Sequence, residues 1–369
     1  MIGNGRSHVL GGGRQRVART AVGAGIRRAP VAIALAAVSV AALGGATARS
    51  APAQPPPPGP SPRALLEAIP RDPLHVRYTA KDTGRRQLAG LDVVADPIGT
   101  GYIGVYFWPS GPGPADYAVS VGVSPDLINW RRVTDLDVDG GNMPTIRSLP
   151  GGGFLVAYED YTALDGETAK SQIRVRYYPG REQLLRNRWA VEQLLPRTLS
   201  PSNEGTPSIE DVAWSGRPET SVLRIGFHYN AGARGVDRQA EGMLRGFRDW
   251  RTVADPATAR RLRAAGFLAS HGKRSHLDVA GRRWDVVEAQ RLPGSFGAWS
   301  LALEDAATGT TQGLSLQGWF GPLTSVGVPT VKVLPGPLRL GRVLFVSAYV
   351  FSGRLVGPLV YYRPLPPGW

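Results

Sequence analysis

Polar side chains open several short apolar runs of this chain, at positions where packing of a core would not select them. They are Asp92, Asn142, Glu204, and His276 together with Asp278. The corresponding place before the last run, residues 325–328, is a neutral turn. Charged residues at such positions must be solvated, form ion pairs, or take part in binding or catalysis. This set is therefore the first candidate for chemistry, if the fold brings its members to one place.

Further candidates end or follow the apolar runs. Glu159 and Glu288 each end a second run, in LVAYE and VVEAQ, which indicates either a lined funnel or a repeated solubility feature. His228 ends GFHY, where it could contact a ligand or be bonded within the core or rim. Arg238 follows Asp237 directly. Its guanidinium could clamp a carboxylate or sugar hydroxyls in a bidentate way, or the Asp–Arg pair could join two strands.

The elements that would position these residues form a repeat. A unit opens with a residue followed by Pro, then Thr or Ser, then a β-branched residue, and strands and turns follow. Pro144 and Pro207 are 63 residues apart, and Pro207 and Pro329 are 122 residues apart, or two units of 61. Five such segments align. Units of three or four strands at this period predict an all-β fold, a five-bladed β-propeller.

In a propeller the first strand of each blade lines the central channel, so polar residues at the heads of these strands converge. Residues 75–79 are expected to add the outer strand of the last blade and to close the ring. A two-sheet sandwich is the alternative, but it does not explain why one signal opens four or five units. Two short helices are expected, at residues 63–69 and 255–265, the second with Asp255 as N-cap and Gly266 after its end.

The first residues of the chain are interpreted as a secretory signal, residues 1–48. A basic region with six Arg precedes the apolar run 31–43 and the sequence Ala46-Thr47-Ala48. Arg27-Arg28 favours twin-arginine export as an alternative, but the residues that follow fit ordinary secretion better. Residues 49–73 are expected to form a proline-rich tether and the first short helix, and residues 74–369 the propeller. The remaining chain is thus expected to be extracellular, without membrane insertion.

Composition excludes several classes of function. The 369 residues contain no cysteine, which excludes disulfides, thiol catalysis and Cys-ligated zinc. The formal charge is +14, and about +8 without the signal, which indicates either attraction to acidic polysaccharides or the Arg-rich composition of a high-GC genome. Nucleic-acid binding is not expected, because no basic helix or aromatic stacking motif is present. The motifs of serine hydrolases, zinc proteases, P-loop proteins and dinucleotide-binding proteins are also absent.

Three features resemble the five-bladed propeller glycosidases, namely the arabinanase, β-xylosidase and arabinofuranosidase superfamily, with invertases and levansucrases as distant relatives. SPDLINW (residues 124–130) resembles a motif that ends a blade in that superfamily. Glu204-Gly205-Thr206-Pro207 resembles its E-G-P motif, with one additional threonine. Asp92 stands where that superfamily has its catalytic aspartate. The resemblance covers roughly residue 74 to the last residue, and it also fits a divergent secreted branch.

This resemblance implies a mechanism with two carboxylates, one as acid and one as base or nucleophile. A third acid adjusts their pKa and orientation. Glu204 would be the general acid and Asp92 the base or nucleophile. The third acid normally opens the second blade, where this chain has Asn142. Glu159 is the substitute expected here, with Asp278 as another. Each of these acids could instead have only a structural role, in a loop, a turn or a blade-to-blade contact.

Substrate binding is assigned to seven further residues. They are Trp108, Asn142, His228, Arg238, His276, Asp278 and Glu288. Trp108 would stack on a sugar ring. In the glycosidases that the chain resembles, a histidine near the channel often helps to hold a calcium or sodium ion, but no Asp-rich calcium loop is present here. No cofactor or metal ligand is therefore assigned, although a channel ion is compatible with His276.

The sequence thus predicts a secreted, monomeric glycoside hydrolase that acts on polysaccharides or oligosaccharides. The alternative is a secreted propeller that binds carbohydrate or a cell-surface glycan in the same funnel without cleaving it. The absent acid of the second blade favours this alternative, and the pair of Asp92 and Glu204 favours the enzyme.

Overall fold

The computed structural model describes residues 60–99, 101–112, 115–165, 168–232, 236–279 and 281–366. The expected signal and the tether up to residue 59 lie outside the described residues. Helix α1 (Pro62–Glu67) begins after Ser61, whose side chain accepts a hydrogen bond from the N–H of Ala64 at 3.2 Å. Strand β1 (Val76–Tyr78) follows it.

Four sheets of four consecutive antiparallel strands come next, and each forms one blade. Blade 1 contains β2 (Ala89–Ala95), β3 (Tyr102–Pro109), β4 (Tyr117–Ser124) and β5 (Arg131–Asp137). Blade 2 contains β6 (Gly141–Ser148), β7 (Phe154–Asp165), β8 (Thr168–Tyr178) and β9 (Val191–Leu194), with helix α2 (Arg181–Leu185) before its last strand. Blade 3 contains β10 (Glu204–Ala213), β11 (Val222–Ala231), β12 (Val236–Arg245) and β13 (Asp249–Ala254). Helix α3 (Pro256–Ala264) leads into blade 4, which contains β14 (His271–Val279), β15 (Arg282–Gln290), β16 (Trp299–Asp305) and β17 (Thr311–Gly313).

The fifth blade joins the two ends of the described chain. A small hairpin of β18 (Gln317–Gly318) and β19 (Gly321–Pro322) precedes β20 (Val326–Pro335), β21 (Arg342–Val350) and β22 (Gly357–Pro364). Strand β1 completes this sheet by pairing with β22, with Val76 opposite Tyr361. First strands of consecutive blades contact one another, and β20 contacts β2, so the five blades form a closed ring. The predicted five-bladed β-propeller and its closing strand are confirmed.

The same β-bulge occurs near the head of every first strand. Two residues of the first strand lie opposite one residue of the second, for example between Gly205, which pairs with His228, and Ser208, which pairs with Gly226. The bulged pairs are Gly90-Leu91, Met143-Pro144, Thr206-Pro207, Gly272-Lys273 and Val328-Pro329. Proline fits because a bulged residue does not donate to the ladder. The recurring proline signal of the sequence is therefore this bulge.

Three bulges contain a non-glycine residue in the left-handed region. Met143 has φ +46°, Thr206 +47° and Val328 +52°. Such a conformation is costly, above all for β-branched residues, and is typical of functional sites. Gly90 has φ +58° at the equivalent place in blade 1. Three blades thus bring strained backbone to one end of the channel.

Apolar side chains fill most interfaces between blades, whereas charged groups are buried between blades 3 and 4. Arg274 of β14 is 4% exposed and forms an ion pair with Glu210 of β10, which is 1% exposed. Helix α1 packs on blades 4 and 5 through the buried Leu65 and Leu66, and the hydroxyl of Tyr361 donates to the Leu66 carbonyl. Helix α1, which lies in the segment expected to be a tether and a short helix, therefore packs on the propeller.

Both predicted helices are present with slightly different bounds. Helix α1 begins one residue earlier and ends two residues earlier than expected. The side chain of Asp255 caps α3 by accepting from the N–H of Thr258 at 3.0 Å, as its N-cap position predicts. Among the described residues, no helix combines the length and apolarity that crossing a bilayer requires.

Candidate active site

A cavity of about 510 Å³ opens at the end of the channel where the bulges lie, and we call it the mouth cavity. The strained residues Met143, Thr206 and Val328 form part of its wall. Aromatic rings supply a second part, and polar side chains a third. The rings are Phe107, Tyr117, Tyr161, Trp299, Tyr349 and Phe351, and the polar residues include Gln87, Asn142, His228, Asp237 and Glu288. Apolar walls with a few convergent polar groups are typical of ligand sites.

Glu288 is the most perturbed carboxyl group of the mouth cavity. It lies on β15 opposite the bulge of its own blade and is 4% exposed. Its Oε2 accepts a hydrogen bond from the backbone N–H of Lys273 at 3.0 Å, and the N–H of Val328 in the next blade also donates to it. Burial raises the pKa of Glu288 to about 7 and outweighs these N–H groups, which act in the opposite direction. A carboxyl group that is partly protonated at neutral pH can both donate and accept a proton.

Glu159 is held in a related way in blade 2. It is 2% exposed, and its Oε2 accepts from the backbone N–H of Thr206 in the next blade at 3.0 Å. A Cβ on Gly205 would lie 2.3 Å from this carboxyl group, so only glycine leaves room for it. The charge of Glu159, followed by burial, raises the pKa of Tyr161. Glu159 and Glu288 thus each accept from the bulge of the following blade, although Glu159 pairs with Asn142 before the bulge of its own blade and Glu288 lies opposite the bulge of its blade.

His228 and Asn142 both line the mouth cavity. Nδ1 of His228 lies 2.7 Å from the hydroxyl of Thr206. The side-chain oxygen of Asn142 accepts from the N–H of Met143 at 2.8 Å, which supports the strained bulge of blade 2. Glu159, Thr206 and His228 therefore form one connected group beside Glu288, and the charge of His228 acts on the carboxyl of Glu288.

Asp92 lies in a different cavity, deeper in the channel. Its Oδ2 accepts from the hydroxyl of Thr145 at 2.8 Å and from the N–H of Ile146 at 3.1 Å, and its Oδ1 pairs with the ammonium of Lys332. Burial alone would raise the pKa of Asp92, but the charges of Lys332 and Lys273 lower it below its usual value. Asp92 is 3% exposed and lines a cavity of about 40 Å³, which we call the central cavity.

Glu204 points to a loop. It is 2% exposed, and its Oε1 accepts from the backbone N–H groups of Thr198 at 2.7 Å, of Leu199, and of Ser200 at 3.1 Å. Glu204 is not among the residues that line the mouth cavity or the central cavity. The structure therefore does not bring Asp92 and Glu204 together in either cavity. The carboxylate of Glu204 organises the loop that precedes β10.

His276 and Asp278 lie toward the opposite end of the channel, at a cavity of about 600 Å³. The imidazole of His276 lies between Asp285 and Glu210, with Nε2 2.9 Å from Glu210. Burial would lower the pKa of His276, but bonds to these two carboxylates raise it to about 9. The side chain of Asp278 is 65% exposed and contacts Arg283 at 3.1 Å.

Arg238 and Trp108 have structural contacts. Nη1 of Arg238 donates to the backbone carbonyls of Asp237 at 2.9 Å and Ala269 at 2.7 Å, which ties β12 to the segment before blade 4. The indole N–H of Trp108 donates to Ser120 at 2.9 Å, and its ring packs against a guanidinium. Neither residue is among those that line the mouth cavity, whereas Phe107 is.

Sequence reasoning missed Tyr161, Asp237, Tyr349 and Phe351 as wall residues. Tyr161 follows Glu159 by two residues, so strand alternation places both side chains on one side of β7 and was the available signal. Asp237 was considered only as a partner of Arg238. Within the described ranges, no group of three or more His, Asp or Glu residues could hold a metal ion.

No protein-family model matches the chain, and no curated protein matches it. A solved structure of a BT0996 RGII complex aligns over 80% of this chain and 93% of its own length, with 11% identity and a TM-score of 0.51. A thermostable family-43 glycoside hydrolase aligns over 79% and 95%, with 10% identity and a TM-score of 0.49. An exo-1,5-α-L-arabinanase from a bovine ruminal metagenomic library aligns over 79% and 95%, with 9% identity and a TM-score of 0.49. At this identity the likeness is one of fold, and at that level the resemblance to five-bladed propeller glycosidases is confirmed.

Proposed function

We propose that the protein is a glycoside hydrolase that binds a sugar in the mouth cavity and uses Glu288 as its general acid. The observation that carries this proposal is a buried carboxyl group in the cavity wall whose pKa is raised to about 7. A perturbed carboxyl group in a cleft is a candidate for acid–base catalysis. The fold is one that glycoside hydrolases use, which supports this class of reaction.

The proposed reaction divides the work between two carboxyl groups. Protonated Glu288 donates its proton to the glycosidic oxygen while the bond from that oxygen to the anomeric carbon breaks, and the leaving sugar departs as an alcohol. Asp237, the other acid in the wall, is the second carboxylate: either it takes a proton from the water that attacks the anomeric carbon, or it attacks that carbon itself, and water activated by deprotonated Glu288 then hydrolyses the glycosyl-enzyme. Glu159 has an indirect role: it accepts from the backbone N–H of Thr206 and so holds that bulge in place, and its charge raises the pKa of Tyr161 in the wall.

The aromatic rings of the wall fit a carbohydrate substrate. A sugar ring presents C–H groups on its faces and hydroxyls at its edge, so it packs on flat aromatic side chains while polar groups fix its orientation. Tyr349 and Trp299 supply flat surfaces, and Gln87, Asn142 and His228 supply hydrogen-bonding groups.

A second candidate function is carbohydrate binding without cleavage. Both carboxylates to which the family resemblance assigns catalysis have structural partners. Asp92 forms an ion pair with Lys332, and Glu204 accepts from three backbone N–H groups. Asn142 stands where the resemblance expects an acid. A cavity that retained its walls and lost its catalytic pair would still recognise a glycan.

Release of reducing sugar from arabinans, xylans, fructans, galactans and acidic wall polymers tests the proposal. Wild-type protein is compared with Glu288→Gln and with the control Glu182→Gln, whose side chain is 66% exposed. Hydrolysis that Glu182→Gln retains and Glu288→Gln loses supports the enzyme. Retention of a glycan in a pull-down by a wild type that cleaves none of the polymers supports the binding protein.

We also propose that the chain is exported and acts as a monomer outside the cell. The support is the basic and apolar pattern of residues 1–48, which ends in Ala46-Thr47-Ala48. Amino-terminal sequencing of the protein from culture medium would find Arg49 first. An uncleaved chain that stays with the cells contradicts export, and a dimer in light scattering contradicts the monomer.

A further inference from the structure

The central cavity is lined by more positive than negative charge. Four Lys and Arg side chains, those of Arg147, Lys273, Arg274 and Lys332, lie in its wall together with His276 and the carboxylate of Asp92. The cavity volume of about 40 Å³ exceeds the roughly 10–15 Å³ that one water needs. It is much smaller than the space that a sugar acid or a phosphate ester would require.

Two of these cations have carboxylate partners. Lys332 pairs with Asp92, and Arg274 pairs with Glu210. Arg147 donates to the backbone carbonyl of Glu210 at 2.6 Å, a partner without net charge. Nε of Arg274 is buried and has no hydrogen-bond partner among the residues that the structure describes. Among the described residues, Arg147 and Lys273 therefore lack an ion-pair partner, and Nε of Arg274 is an unsatisfied donor.

Lys273 is one of the two cations without a carboxylate at ion-pair distance among the described residues, and only the more distant charges of Asp92 and Glu288 act on its ammonium. The residue is 2% exposed, and its Nζ donates to the carbonyl of Pro144 at 3.3 Å and to the hydroxyl of Thr330 at 3.2 Å. Both acceptors are neutral, both distances are long, and an ammonium has a third proton to donate. In the part of the chain that the structure describes, no ion pair joins this Nζ to a carboxylate. Leaving a buried ammonium without a counter-charge is costly.

We propose that the central cavity is a binding site for one monatomic halide ion, chloride under ordinary conditions, held by Lys273 and the neighbouring cations. Burial lowers the pKa of Lys273 to about 8, so the side chain is still mostly protonated at neutral pH and carries the charge that a halide would offset. Water could fill the same space but would not balance this charge. The site is separate from the proposed glycosidase chemistry and does not depend on it.

Thermal unfolding in sodium chloride and in sodium gluconate at constant ionic strength tests the site with chloride itself as the probe. Binding to the folded state alone raises Tm, and above Kd the rise continues with the logarithm of the chloride concentration. We expect this rise for the full-length wild type and for the control Lys81→Met, which removes an exposed lysine. We expect Lys273→Met to lose it. Equal Tm values in the two salts, or an equal rise in Lys273→Met, would overturn the proposal.

Bromide provides a readout that does not depend on how Lys273→Met folds. Wild-type crystals soaked in sodium bromide are expected to show an anomalous peak within hydrogen-bonding distance of Nζ of Lys273. A central cavity that holds only water, with no anomalous peak at saturating bromide, would contradict the site whatever the melting experiment gives.

Discussion

The carboxyl group of Glu288 accepts a hydrogen bond from the backbone N–H of Lys273 at 3.0 Å, while the ammonium of the same lysine extends to Pro144 and Thr330 across the channel. The bulge of blade 4 therefore serves two sites. Its backbone orients a carboxyl group at the mouth cavity, and its side chain carries positive charge into the central cavity. A lysine occurs here at the position where blades 2, 3 and 5 have proline.

Glu288 is expected to make folding stability fall as pH rises. Its pKa is about 7 in the folded protein and about 4.5 in the unfolded chain. Between pH 4.5 and 7 the folded state therefore keeps a proton that the unfolded state loses. The expected decrease is about 3 kcal/mol between pH 4.5 and 7. Urea unfolding across this range should show this decrease in wild type and not in Glu288→Gln. Parallel curves for the two proteins would mean that the group titrates normally.

His276 is expected to stabilise the contact between blades 3 and 4 only when protonated. Its pKa is raised to about 9, so its contribution is complete below pH 6.5 and is lost as pH rises through 9. Urea midpoints at pH 6 and pH 10 should differ more for wild type than for His276→Gln. The matched control His75→Gln, at the rim, should keep the wild-type difference. An NMR titration that places His276 near 6.5 would refute the prediction.

Glu204→Ala is expected to reduce stability, because it leaves three backbone N–H groups without their acceptor. Each buried donor left unsatisfied costs about 1–3 kcal/mol. Glu204→Gln keeps an acceptor oxygen and should lose less stability while retaining most of the activity. Calorimetry and kcat of both variants check this. A Glu204→Gln protein of normal stability and no activity would instead assign proton donation to Glu204, as the family resemblance implies.

Tyr349→Ala is expected to weaken glycan binding about threefold to tenfold, since an aromatic contact contributes about 0.5–1.5 kcal/mol beyond its buried area. Tyr349 lies in the wall of the mouth cavity, whereas Trp189, 42% exposed, is not among its wall residues. Trp189→Ala is therefore the control. Isothermal titration with an oligosaccharide that the wild type binds gives both Kd values, and equal losses would place the glycan elsewhere.

The fold was predictable because its repeating signal has a local physical cause. Proline suits a bulged residue that does not donate to the ladder, so Pro144, Pro207 and Pro329 report the period of the ring directly. The strand-forming residues before β2 could likewise be assigned to the last blade, which needed a fourth strand.

The site was less predictable because the bulge decides where each side chain points. A shift of one residue moves a side chain to the other face of a strand. Asp92 follows the bulge of blade 1 and reaches the central cavity, whereas Glu204 precedes Gly205 and reaches a loop. The charge in the channel was also missed, since Lys332 in VKV reads as an ordinary strand residue until the ring brings it to Asp92.

The pH dependence of reducing-sugar release by wild type and Glu288→Gln tests the central claim most directly. If Glu288 is the general acid, wild-type activity should fall above an apparent pKa of about 7, because the deprotonated group has no proton to donate. Glu288→Gln should then have little activity at any pH while still binding the polymer. Wild-type rates and an unchanged pH profile in Glu288→Gln would contradict the account.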